Sequence, residues 1–272
     1  MNMKLGVTLR NMGPQSAAGI MLAGARRAEA AGFESLWITD HIAIPPDDAE
    51  GSGGRYTDPL TTLAWLGGAT RTIKLGVGVL ILPYRPVLPT AKQIATVHEL
   101  TGERLLLGVG IGWMDPEFKA LGLARRERGR QSDEMLDFLA ECFANRVVSR
   151  NGQPFIFDPR PPAPPVYVGG SAPQALRRAL RFGHGWLPMA RDPQKLARDL
   201  EVFRDMAAEA GRPAGPVTVM AALPLQEPAR ARQVLEQYQA LGVERLVCAL
   251  RYDDADEYAA RLDALVGVRD GG

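Results

Sequence analysis

One junction recurs along this chain. Ala30-Ala31-Gly32-Phe33-Glu34-Ser35-Leu36-Trp37 can be laid over Ala240-Leu241-Gly242-Val243-Glu244-Arg245-Leu246-Val247, and Phe182-Gly183-His184-Gly185-Trp186 repeats the pattern. Each reads as a helix that stops at glycine and passes within a few residues into an apolar strand, the glycine supplying the left-handed conformation that closes the helix. Short apolar, β-branched runs predict strands over 4–9, 35–39, 74–82, 105–111, 166–169, 185–188, 217–222 and 245–249. Amphipathic stretches predict helices over 17–31, 59–70, 87–100, 127–144, 173–182, 193–210, 229–241 and 253–266. Alternating units with nearly continuous apolar strands indicate a parallel sheet buried on both faces, and eight of them close a (β/α)₈ TIM barrel of about 250 residues. At 272 residues the chain is expected to be one α/β domain over 1–272. Two connections are long. The 40–56 loop, with Pro45-Pro46 and Gly51-Ser52-Gly53-Gly54, reads as a flexible cover on the C-terminal face. The 147–165 segment reads as a hairpin around Asn151-Gly152 followed by a stiff proline-rich spacer.

Composition removes several function classes. Lys plus Arg number 32 against 31 Asp plus Glu, so no global field favours nucleic acid or an anionic membrane. The two cysteines, Cys142 and Cys248, read as packed, reduced thiols, which suits the cytoplasm. The Met1-Asn2-Met3-Lys4 start and the lack of an 18-residue uncharged span give no expectation of a signal peptide or membrane helix. His41, His98 and His184 are far apart and show no metal-ligand spacing, so no metal is expected. Lys4, Lys74, Lys92, Lys119 and Lys195 all avoid strand ends, which argues against Schiff-base chemistry.

Barrel active sites lie at the C-terminal ends of strands. His41 is the histidine so placed, and imidazole is the side chain best suited to exchange a proton near neutral pH. Asp40 could orient it or accept from the ring N–H of a bound heterocycle; the pair could equally cap a loop. Gly169-Gly170-Ser171 joins a strand end to a helix start and offers backbone N–H groups to an anion. Arg10, Arg85, Arg191 and Arg251 would add guanidinium groups for a phosphate or carboxylate. Gly76 and Gly78 in strand three, with Gly108, Gly110 and Gly112 in and after strand four, suggest a bulge and space for a flat ligand. Ile42, Tyr84, Trp113, Met114 and Met189 would wall that cavity, or simply pack the rim.

Leu36-Trp37-Ile38-Thr39-Asp40-His41, the run from Ile73 to Val79 with Leu82-Pro83-Tyr84-Arg85-Pro86, and Leu107-Gly108-Val109-Gly110-Ile111-Gly112-Trp113 together resemble the luciferase-like monooxygenase superfamily. The closest likeness is to its actinobacterial coenzyme F420-dependent oxidoreductase branch, and Val166-Tyr167-Val168-Gly169-Gly170-Ser171 with Gly183-His184-Gly185-Trp186-Leu187-Pro188 extends it along nearly the whole chain. The resemblance implies a barrel, usually dimeric, that holds a deazaflavin or flavin at its mouth. It implies that Asp40 contacts the cofactor, with His41 beside the reactive carbon as proton donor or stabiliser. It further implies that Gly78 and Val79 form a strand-three bulge, often a non-proline cis peptide, behind the ring, and that Gly169, Gly170 and Ser171 cradle its edge or phosphate. Gly110 would complete this cofactor-binding set. Trp113 stands where sugar-phosphate dehydrogenases of the branch carry a catalytic glutamate, which argues against glucose-6-phosphate and for an apolar or aromatic substrate.

The expected activity is therefore hydride transfer between F420 and a small apolar organic molecule, with His41 handling the proton and the cofactor's acidic tail toward the rim arginines. The alternatives are an FMN-dependent monooxygenase that uses reduced flavin and oxygen, and a barrel that binds deazaflavin or flavin without turnover. A phosphate-handling isomerase lacks an evident strand-end glutamate or lysine as base.

Overall fold

A computed structural model describes residues 3–189 and 192–271. The strands are β1 (Lys4–Thr8), β2 (Ser35–Ile38), β3 (Lys74–Ile81), β4 (Leu105–Gly110), β5 (Val147–Arg150), β6 (Gln153–Ile156), β7 (Val166–Gly170), β8 (Gly185–Pro188), β9 (Thr218–Ala221) and β10 (Arg245–Cys248). The helices are α1 (Ala18–Ala30), α2 (Pro59–Ala69), α3 (Val87–Leu100), α4 (Asp115–Ala120), α5 (Arg128–Ala144), α6 (Gln174–Phe182), α7 (Pro193–Glu209), α8 (Pro228–Ala240) and α9 (Ala255–Asp270). Eight strands pair in the order β8-β7-β4-β3-β2-β1-β10-β9, all in parallel, and a parallel bridge from Trp186 to Val217 joins the two edges. The result is a (β/α)₈ barrel, and the eight strands and eight main helices fall where the apolar periodicity put them.

Two of the repeated junctions behave as their sequence implies. Gly32 (φ 75°) and Gly242 (φ 80°) are left-handed, and in each the N–H of the next residue reaches back to the carbonyl five residues earlier, Phe33 to Ala28 and Val243 to Tyr238, both at 3.2 Å. The third differs. Gly183 is extended (φ −89°, ψ 153°), and its glycine is required by space: a Cβ there would lie 3.0 Å from both the Ala179 and Gly185 carbonyl oxygens.

The strands are buried on both faces. Leu36, Ile38, Leu75, Val77 and Leu105 pack outward against the helices, whereas Trp37, Leu106, Tyr167, Leu187 and Val247 fill the barrel interior. Arg245 is buried at the strand beginnings and donates to both Glu34 carboxylate oxygens (2.7 and 2.9 Å), to the Tyr167 hydroxyl (3.0 Å) and to the Thr218 hydroxyl (3.1 Å). This network fills the N-terminal end of the barrel. Val147 pairs with Ile156 and Arg150 with Gln153 in the expected hairpin, whose turn residues Asn151 (φ 52°) and Gly152 (φ 76°) are both left-handed.

The 40–56 loop is not the free cover its glycines suggest. Met12 bridges to Tyr56, Gly13 N–H donates to the Arg55 carbonyl at 3.0 Å, and Arg10 donates to the Gly51 carbonyl at 2.7 Å. Arg55 in turn donates to the buried Ser16 hydroxyl at 2.7 Å. The segment is thereby fastened to the chain that follows β1. Cys142 and Cys248 are both buried free thiols, and among the described residues no helix is long and apolar enough to cross a membrane.

Candidate active site

The mouth is floored by β3. Pairing with β4 slips between Val77 and Leu80, and the bulge so formed carries the cis Gly78–Val79 peptide that the resemblance implied. Gly78, Val79, Gly169, Gly170 and Met220 are half-buried although they stand on barrel strands, which marks an opening above them. The glycines serve the chain's own side chains as well as any ligand. A Cβ on Gly76 would lie 2.2 Å from the Trp37 indole, so the flat ring admitted there is Trp37 itself. Cβ atoms on Gly110 and Gly169 would lie 2.4 and 2.7 Å from the two methyls of Val79. Space beside β4 and β7 is thus already filled by Val79, which corrects the expectation that the strand-four glycines leave it vacant. Gly110→Ala is expected to destabilise the fold by about 1–3 kcal/mol through overpacking. The double variant with Val79→Ala should recover most of that loss in urea denaturation midpoints.

Asp40 and His41 leave β2 in opposite company. The Asp40 side chain is wholly buried; it accepts from Ile81 N–H (2.8 Å) and takes a two-pronged ion pair from Arg85 (2.6 and 2.9 Å). Burial holds its carboxyl above the ordinary carboxylate range, against the opposing pull of Arg85 and the Ile81 N–H. Arg85 also reaches Asp58 (3.1 Å), which caps α2 by accepting from Thr61 N–H (2.9 Å). Asp40 and Arg85 thus join β2, β3 and α2, because a buried carboxylate must be paired.

His41 is paired with a residue that the sequence did not announce. Its Nδ1 lies 2.8 Å from Glu117 Oε2, at the first turns of α4. Tyr84 donates to the same oxygen at 3.0 Å, and Ile42 and Ala43 N–H donate to Oε1 at 2.7 and 3.0 Å. The rings of Tyr56 and Trp113 stand near edge-on to the imidazole at 5.1 and 6.3 Å. Tyr84 is buried, with its ring against Phe118, which fits its packing of the rim. A sequence signal for Glu117 lies in Asp115-Pro116-Glu117, a helix start three residues past Gly112, away from the strand ends themselves.

Ile42, Trp113 and Met189 are 46, 64 and 58 % exposed and give this face an apolar border. Gly170 has φ 124°, a conformation that favours glycine, and its carbonyl accepts from the Trp186 indole N–H at 3.0 Å. Ser171 is exposed beside it, before α6. Arg10 is half-buried and turned to Gly51, Arg251 is exposed, and Arg191 lies outside the described residues. A cavity of about 590 Å³ opens next to the mouth between Arg10, Gln15, Ser52, Arg55 and Asp253, and its lining does not include His41.

Burial alone would raise the Glu117 carboxyl, but hydrogen bonds from His41, Ala43 and Ile42 bring it down to about 2. Because the folded value lies below the unfolded one, this contribution, about 3 kcal/mol, is complete above roughly pH 4.5 and disappears as pH falls toward 2. Glu29, held by the N–H groups of Thr72, Ile73 and Arg71, is also lowered to about 2 and acts in the same window, more weakly because it is largely solvated. The thermal midpoint should therefore drop steeply between pH 4.5 and 2; a flat midpoint over that interval would contradict this pairing.

Comparison with known proteins agrees with this fold. A sequence model of the luciferase-like monooxygenase family matches residues 3–265. An uncharacterised protein of Mycobacterium tuberculosis is 31% identical over 206 residues, covering 69% of this chain and 71% of its own. The F420-dependent hydroxymycolic acid dehydrogenase of the same organism is 33% identical over 202 residues, 71% of this chain and 54% of that protein. Among solved structures, a monooxygenase of Streptomyces bottropensis superposes with TM-score 0.80 at 20% identity, covering 99% of this chain and all of its own.

Proposed function

Because the chain belongs to the luciferase-like monooxygenase family, we propose that it is an F420-dependent oxidoreductase acting on a small apolar organic substrate, with His41 as the proton-exchanging group. The observation that carries this reading is the isolation of His41: a half-buried imidazole tied to a buried carboxylate at the barrel mouth, bordered by the exposed side chains of Ile42, Trp113 and Met189. Large apolar side chains left in water are costly unless something covers them. The half-buried floor of Gly78, Val79 and Met220 suits the face of a planar heterocycle, and the 33% identical relative named for F420 favours a deazaflavin there.

When bound, the deazaflavin supplies or accepts the hydride. In this reading Gly78 and Val79 support its ring, the backbone of Gly169 and Gly170 and the Ser171 side chain hold its polar edge, and Gly110 keeps Val79 in place. Ile42, Trp113 and Met189 exclude water and hold the apolar part of the substrate. His41 gives or takes the proton at the substrate oxygen or carbon. The missing acid at Trp113 and the internal commitment of Arg85 disfavour a sugar phosphate. An anaerobic screen of alcohols, ketones and activated alkenes with F420, followed by the deazaflavin absorbance, and a parallel aerobic screen of the same compounds with reduced FMN, followed by product formation, test this. Turnover with apolar members and none with glucose-6-phosphate is expected; turnover only with reduced FMN and oxygen would overturn it in favour of a flavin monooxygenase.

A further inference from the structure

Glu117 is the most fully engaged acceptor at the mouth. Its side chain has no solvent exposure, and four donors converge on it: Ile42 and Ala43 N–H on Oε1, His41 and the Tyr84 hydroxyl on Oε2. An ionised carboxylate can only accept, so the proton shared with His41 belongs to Nδ1. Nε2 forms no hydrogen bond with any described residue. The near edge-on rings of Tyr56 and Trp113, at 62° and 86° to the imidazole, bracket it on other sides.

We propose that Glu117 is a positioning residue that locks the His41 ring with a proton on Nδ1 and thereby makes Nε2 the atom that exchanges the proton with substrate. The inference rests on the reading of His41 as the proton-exchanging group and adds the atom and its controller. The carboxylate is required chemically. An amide offers one acceptor oxygen and an NH₂, so in Glu117→Gln either the two backbone N–H groups or the His41 and Tyr84 pair would face a donor. Aspartate keeps the charge on a shorter arm.

The chain has three histidines, so each can be resolved by two-bond ¹H–¹⁵N correlation NMR of the full-length protein, with His41 assigned by its loss in His41→Ala. At a pH where the ring is uncharged, the wild-type spectrum should show a protonated Nδ1 and an unprotonated Nε2 for His41. Glu117→Gln should lose that pattern while His98 and His184 keep theirs, Glu117→Asp should restore it in part, and kcat of Glu117→Gln should fall by about 10²-fold or more with KM little changed. A wild-type His41 protonated at Nε2, or a Glu117→Gln spectrum identical to wild type, would overturn the proposal. The tautomer is read in wild-type protein, so the test holds whether or not Glu117→Gln folds. If the tautomer is as stated but His41→Ala keeps full turnover, the functional reading of His41 fails while the positioning stands.

Discussion

His41→Ala is expected to lower turnover by about 10²–10⁴-fold, the range a positioned general acid or base contributes, while cofactor affinity changes only a few-fold. The separation follows from where the residue stands. His41 touches Glu117, Tyr56 and Trp113, whereas the floor proposed for the cofactor is built from β3, β7 and β9. Removing the imidazole takes away the proton-exchanging group without disturbing Val79 or Gly170. Steady-state rates beside equilibrium titration measure both quantities on one preparation. A variant that binds and turns over like wild type would leave a barrel in which His41 has no chemical part.

Arg85→Ala is expected to have the largest effect on stability, about 3–5 kcal/mol, because it strands the buried Asp40 carboxylate without its partner. It also frees Asp58 at the start of α2. In a chain of this size the loss corresponds to a drop in Tm of roughly 10 °C. Replacing both Asp40 and Arg85 with leucine should cost less than Arg85→Ala alone, since no charge then remains buried. Chemical denaturation of the three proteins decides the matter: an Arg85→Ala variant within about 0.5 kcal/mol of wild type, the range of ordinary surface substitutions, would show that Asp40 is better solvated than its burial indicates.

The fold was legible in the sequence because its determinants are local. Strands such as 74–82 and 105–111 are apolar throughout, as double-sided burial demands, and Gly32 and Gly242 mark helix ends by a backbone conformation that other residues resist. The site was legible only in outline. Strand-end logic found His41, and the bulge at Gly78–Val79 followed from the family resemblance. What it missed depends on contacts between residues far apart in the chain. Glu117 is 76 positions from its imidazole partner and Arg85 is 45 from Asp40, and no spacing rule links either pair. An aromatic at a strand end such as Tyr84 suits a cavity wall or a packed rim, and its hydroxyl bond to Glu117 is not visible from its position in the chain. The glycines misled for a related reason. Close approach was the correct inference, but the approaching groups at Gly76, Gly110 and Gly169 are Trp37 and Val79.

Whether the barrel mouth is built for a deazaflavin is decided by titrating the purified protein with oxidised F420 and, separately, with FMN, each followed by its own fluorescence. Saturable F420 binding that is weakened by bulk introduced at Gly78 or Gly170, with no comparable FMN binding, is the result expected. Tight FMN binding with none for F420 would contradict it.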